Sequence, residues 1–162
     1  MKKLFLCALV SASLIACSEK KSDDTNLELY KKNLEVAKEF IAVFSAKDST
    51  KEAALLADNF KWTGPAIGQD SLPKDSLLAG DKVLMNTYND TKLTNVQFVP
   101  GVDPVTYKLD GAVRVYGTWV SKFASTGKLN KLKYYALFEF DSAGKISYLE
   151  EYANLEDLKK EF

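Results

Sequence analysis

AVRVYGTWVSKF at residues 112–123 and LNKLKYYALFEFD at residues 129–141 decide the fold. Both runs are dense in β-branched and aromatic residues, and Ala124-Ser125-Thr126-Gly127-Lys128 joins them, so they read as one long hairpin. At about 3.3 Å per residue the strands reach roughly 40 Å, about twice an ordinary strand. A sheet that long in a small domain must curve, and Gly111, Gly117 and Gly127 are places for a bend or bulge.

Downstream, Ser142-Ala143-Gly144-Lys145 turns the chain into a last strand from Ile146 to about Ala153, and a short helix follows from Leu155. Upstream, Leu93 to Val99 is a further strand, ended by Pro100-Gly101. Before it the period changes. Tyr30, Leu34, Ala37, Phe40, Ile41 and Phe44 recur at helical spacing between about Leu27 and Ala46. Ser49 and Glu52 have capping-box spacing ahead of a second helix through Ala57, which Gly64-Pro65 stops. Pro73 opens a third helix through Leu77, Leu78, Val83 and Met85. Helices first and strands last predict an α+β fold. The N-terminal helices pack in the concave face of a strongly curved antiparallel sheet, forming a cone with a cavity.

The first sixteen residues lie outside that domain. Met1-Lys2-Lys3, the apolar run Leu4 to Ala12 and Leu14-Ile15-Ala16-Cys17 have the parts of a secretory signal peptide, too short to span a bilayer. The last four residues resemble a bacterial lipobox, which implies cleavage before Cys17 and acylation of that cysteine. Acyl chains contribute about 0.8 kcal/mol per buried methylene, enough in combination for a stable membrane anchor. Residues 17–26 then form a lipidated cysteine and polar tether, and residues 27–162 a single domain. Ser18 resembles the pattern of lipoproteins forwarded to an outer membrane. Lys20-Lys21-Ser22-Asp23-Asp24 resembles a surface-export signal. The expected location is the cell envelope, lipid-anchored, on the periplasmic side of the outer membrane or the cell surface.

Composition narrows the chemistry. The 162 residues carry 22 basic and 22 acidic side chains, no histidine and two cysteines. Zero net charge argues against a nucleic-acid partner. Without histidine there is no His-based nucleophile or His-ligated metal. Cys7 lies in the leader and Cys17 carries lipid, so neither disulfide nor thiol chemistry is expected, nor any metal or cofactor.

The order of elements resembles the nuclear transport factor 2-like superfamily, in its SnoaL-like, polyketide-cyclase-like branch. The matching text is Leu56 to Trp62 at the end of the second helix, Phe138 to Ile146 at the last hairpin, and Glu150-Glu151-Tyr152-Ala153-Asn154. The resemblance spans nearly all of Leu27 to Phe162. It implies the cone fold, which hosts isomerases, dehydratases, cyclases, hydrolases and non-catalytic binders. Many catalytic members carry an aspartate near the end of the final strand, where this chain has Asn154.

Candidate site residues follow from strand parity. If Phe123 sits opposite Leu129, even-numbered residues of the long hairpin share one face, with Arg114, Tyr116, Tyr134 and Phe138 toward the cavity. Arg114, the only arginine, either binds an anionic ligand group or pairs with an internal carboxylate. Tyr116 and Tyr134 either donate to a ligand or pack as core. Trp62 and Tyr88 are candidates for the pocket mouth. Asp58, by its match to the family text, is the candidate base or else a solvent-facing helix end; Glu150 is the second carboxylate. The odd face, with Trp119 and Tyr135, suits an exterior or dimer surface. Three readings are carried forward. The first is a non-catalytic domain binding a small apolar or amphipathic molecule, and it leads. The others are an isomerase, dehydratase or cyclase using Asp58, and a homodimeric interaction module.

Overall fold

A computed structural model of the chain describes residues 19–154, with side chains from residue 25 onward. The leader, Cys17 and the expected helix from Leu155 lie outside the described residues. Among the described residues, three helices pack on one six-stranded, strongly curved sheet, in the α+β arrangement expected.

Helix α1 spans Glu19–Ser45, so the boundary expected at Leu27 falls inside it. The polar stretch before Leu27 has no glycine or proline to interrupt a helix. The Asn26 side chain ties this end down, donating to the Leu109 carbonyl at 2.7 Å. Further along, Tyr30, Ala37, Phe40 and Val43 form the buried stripe, and Phe40 meets Phe138 edge-on at 5.6 Å.

Helix α2 is Ser49–Leu55. Its cap is Asp48, not Ser49: Asp48 Oδ1 accepts from the Lys51 N–H at 3.0 Å. Glu52 is therefore released from any capping role. The helix stops at Leu55, and Leu56–Thr63 is strand β1, which corrects the expected helix end over that stretch. Phe60 and Trp62, two residues apart, point inward while Asn59 and Lys61 face solvent, a period of two that no helix accommodates. The two-residue strand β2 (Leu72–Pro73) leads into helix α3 (Lys74–Thr87), which Pro73 opens.

Strands β3 (Tyr88–Val102), β4 (Leu109–Phe123), β5 (Leu129–Phe140) and β6 (Ile146–Ala153) complete a sheet of order β2-β1-β6-β5-β4-β3. β1 runs parallel to β6; the other neighbours are antiparallel. β3 does not end at Pro100-Gly101, because it is an edge strand and Pro100, opposite Val113, needs no outward N–H. Register shifts follow Asn89 and Thr94, where Asp90 and Asn95 adopt φ of 53° and 52°. These irregularities bend the strand around the helices.

The β4–β5 register differs by one residue from the expected one. Phe123 N–H donates to the Lys128 carbonyl, and Gly127, at φ 70°, turns the chain back. The loop is thus four residues, and Lys122, not Phe123, stands opposite Leu129. Odd residues of β4 now share the inner face with even residues of β5. Val113, Val115 and Trp119 join Ala136, Tyr134 and Leu132 inside. The core centres on Leu56, Phe60, Phe138, Ile146 and Leu149, all at most 2% exposed.

Candidate functional site

Between the helices and the inner face of the sheet lies a cavity of about 430 Å³. Its walls are apolar: Phe40, Ile41 and Phe44 come from α1, Val83 and Leu84 from α3, and Trp119 and Leu132 from the long hairpin. Ring contacts fix the sheet side, with Trp119 5.1 Å from Phe44 and 5.7 Å from Tyr134. Volume and lining are those of a small-molecule pocket. A larger depression of about 640 Å³ lies open on the outer sheet face, along Tyr116, Tyr135 and Tyr152. The inner cavity is the candidate site because it is the more enclosed of the two and holds interior ionisable groups.

Those groups are carboxyls from three elements. Glu151, inward-facing on β6, accepts from the Tyr134 hydroxyl at 2.6 Å and from the Trp62 indole N–H at 2.8 Å. Asp81, on α3, faces the same space, and the surface it keeps opens on the cavity. Glu52 lies behind it with 0% exposure, and no N–H or hydroxyl donor meets either of its oxygens. Its hydrogen-bonding neighbour is the Asp81 carboxyl. Two carboxyls bond only by sharing a proton, so one of this pair is neutral.

The titration directions agree. Burial, the bond to Glu52 and the charges of Glu151 and Glu52 hold Asp81 well above the usual carboxylate range. Burial also raises Glu52. Glu151 is raised by burial, against the lowering effect of its bonds from Tyr134 and Trp62. Burial and then the Glu151 charge push the Tyr134 hydroxyl well up, so it stays a donor. The cavity therefore presents a proton-sharing carboxyl pair and a doubly bonded carboxylate at one polar end. It can accept hydrogen bonds, hold positive charge or exchange a proton.

Of the expected site residues, the fold brings Trp62, Tyr88 and Tyr134 to the cavity. Phe138 faces inward but is fully buried beneath Phe40. Arg114 and Tyr116 are corrected to the outer face by the one-residue register change; Arg114 Nη1 donates to the Tyr135 hydroxyl at 2.9 Å. Glu150 is likewise outside, accepting from Tyr152 at 2.7 Å. Asp58 is exposed on β1 beside the β1–β6 register shift, away from the cavity. Trp119 moves the other way, from expected exterior anchor to cavity wall, while Tyr135 stays outside. Asn154 sits at the rim of the outer depression.

Glu52, Asp81 and Glu151 went unread. Asp81 falls four residues after Leu77 and four before Met85, on the buried stripe of α3, a placement visible as an acid at an apolar position. Glu151 shares strand parity with Leu149. Nothing local marks Glu52, which has the spacing of an ordinary capping glutamate.

A curved sheet closed by helices around an acid-ended cavity defines the class: a cone-shaped α+β domain with an internal small-molecule pocket. The same fold occurs in solved structures of low sequence identity. A candidate isomerase from Bacillus subtilis superposes with a TM-score of 0.67 at 17% identity, over 82% of this chain and 93% of its own. A candidate polyketide cyclase from Xanthomonas campestris gives 0.66 at 14%, over 80% and 96%. The BvnE pinacolase from Penicillium brevicompactum gives 0.64 at 15%, over 82% and 92%. No protein-family profile matches the sequence, and no curated protein does.

Proposed function

We propose that this is a lipid-anchored envelope protein, held by Cys17, whose cavity binds a small apolar or amphipathic molecule. One observation carries the binding reading: a partly enclosed, apolar-walled cavity of about 430 Å³ ends in Asp81, Glu151 and Tyr134. The lining includes no lysine or arginine, so a carboxylate or phosphate ligand is disfavoured by like charge. That reverses the role offered for Arg114. The test is native mass spectrometry of the purified protein before and after denaturation. A released small molecule supports binding, and its mass names a chemical class; an empty cavity in protein taken directly from its membrane contradicts it. The same spectrum reads acylation of Cys17 directly.

The proton-sharing Glu52–Asp81 pair favours a second reading, acid–base chemistry of isomerase, dehydratase or cyclase type. Asp81 and Glu151 replace Asp58 as acid and base. The names of the structural relatives are in keeping with it. Exchange of substrate carbon-bound hydrogen in heavy water, lost in Asp81→Asn and Glu151→Gln, would support it. A homodimer through the outer face is a separate proposal, supported by the contiguous Tyr116, Tyr135 and Tyr152 rings at 4.9 and 5.7 Å. Tyr116→Asp should then lower the native mass to that of one chain.

A further inference from the structure

The cavity's ionic balance points beyond its size. Six aromatic rings line it: Phe40, Phe44, Trp62, Tyr88, Trp119 and Tyr134. Two carboxyls, Asp81 and Glu151, face the same space, with Glu52 directly behind. Its other polar lining groups, Gln69, Thr91, Ser121 and Asn130, carry no charge. The salt bridges found among the described residues, such as Lys38–Glu35 and Lys122–Asp90, lie at the surface and touch none of the three acids. The interior carboxyls thus have neutral donors, Tyr134 and Trp62, and among the described residues no cation to oppose them. Nor do the described residues include a group of three ligating side chains placed to hold a metal ion.

From this we infer that the cavity's ligand is an amphipathic organic cation: an ammonium group set against Asp81 and Glu151, carried on an apolar body packed among the aromatic rings. The ring faces attract a desolvated cation through their quadrupoles, and Trp does so most strongly. The carboxylates add charge-assisted contacts in a water-poor space. An anion meets only repulsion there, and a neutral molecule leaves the acid cluster uncompensated.

Binding is coupled to a proton. In the empty cavity Glu52 and Asp81 share one; a neighbouring ammonium favours the ionised pair, so the proton leaves to solvent as the cation enters. The groups facing Asp81 are Glu52 from α2, Glu151 from β6 and the Tyr134 hydroxyl from β5. β1 contributes the Trp62 N–H to Glu151, and α1 contributes Phe40, Ile41 and Phe44, which do not titrate. The Lys74 amine of α3 is occupied by the Leu56 carbonyl at 3.1 Å. Affinity for a permanent cation therefore rises with pH as the pair gives up its proton.

The test compares benzyltrimethylammonium with neopentylbenzene, its uncharged carbon isostere, on the purified protein. Trp62 and Trp119 are the only tryptophans and both line the cavity, so intrinsic fluorescence reports occupancy. The ammonium should bind at least about tenfold more tightly. Its affinity should increase as the pH is raised. Asp81→Asn and Glu151→Gln should each bring its affinity down toward that of the isostere. The wild-type comparison needs no variant to fold. The inference rests on the cavity being a ligand site, and the outcomes separate the two. Equal or tighter binding of the isostere overturns the cation and leaves the pocket; silence from both probes overturns both readings.

Discussion

Replacing Glu52 by glutamine should make the protein more stable at neutral pH, and the gain should vanish in acid. Glu52 is 0% exposed, and its oxygens meet no N–H or hydroxyl donor; its partner, Asp81, is also a carboxyl. Both folded-state pKa values are raised, so above about pH 4, where an unfolded glutamate ionises, the folded protein holds more protons than the unfolded chain. Stability then falls with rising pH until the folded-state values are passed. Each extra proton held corresponds to about 1.4 kcal/mol per pH unit. Glutamine keeps the volume, removes one titrating group and offers Asp81 an N–H donor. An N–H donated to a charged carboxylate contributes about 1.5–3 kcal/mol. Urea denaturation of both proteins from about pH 4.5 to about pH 8 measures this, and taking the difference cancels titrations elsewhere. The expected result is an advantage of about 1–2 kcal/mol near neutrality that shrinks toward acid. A variant less stable at neutral pH, or an advantage that does not change with pH, would refute the proton-sharing pair.

Three other outcomes follow from the same geometry. Trp119→Ala removes the ring between Phe44 and Tyr134. It should cost about 2–4 kcal/mol in urea unfolding while leaving the native mass unchanged, since the ring faces the cavity. Tyr134→Phe takes from Glu151 its 2.6 Å donor and should cost about 1–2 kcal/mol. Glu151 then holds its proton to higher pH, so the loss should be larger at alkaline than at acidic pH; a uniform loss would contradict the placement. Gly111→Ala must take φ 83° with its Cβ 2.8 Å from Leu29. It should lower stability by about 1–3 kcal/mol, read as a drop in the thermal midpoint.

What was legible in the chain depended on range. The α1 stripe, Pro73 at the start of α3, and the four-strand run from β3 to β6 rest on local periodicity, and the structure keeps them. Errors arose where one residue decides. Treating Lys128 as loop rather than as the partner of Phe123 shifted the hairpin by one, which placed Arg114 and Tyr116 inside and Trp119 outside. The helix-like text at Leu56–Trp62 became β1 because pairing with β6 overrode local preference. With β1 went the candidate base: Asp58 faces solvent, and the inward acids come from three separate elements.

By itself the amino-acid sequence determined the type and order of the long elements, α1, α3 and the strands β3 to β6, and hence the cone, because 3.6-residue and two-residue periods and turn chemistry are properties of neighbouring residues. The same text held the lack of histidine, a fact of composition, and the order Leu14-Ile15-Ala16-Cys17, which resembles a lipobox. Only the tertiary structure decided which acids share a space. Glu52, Asp81 and Glu151 are far apart along the chain, and the local pattern that places Asp81 and Glu151 inward does not say that they meet. Their burial, their shared proton and their lack of a cation exist only once α2, α3 and β6 close on one cavity, because desolvation and Coulomb interaction depend on distance in space.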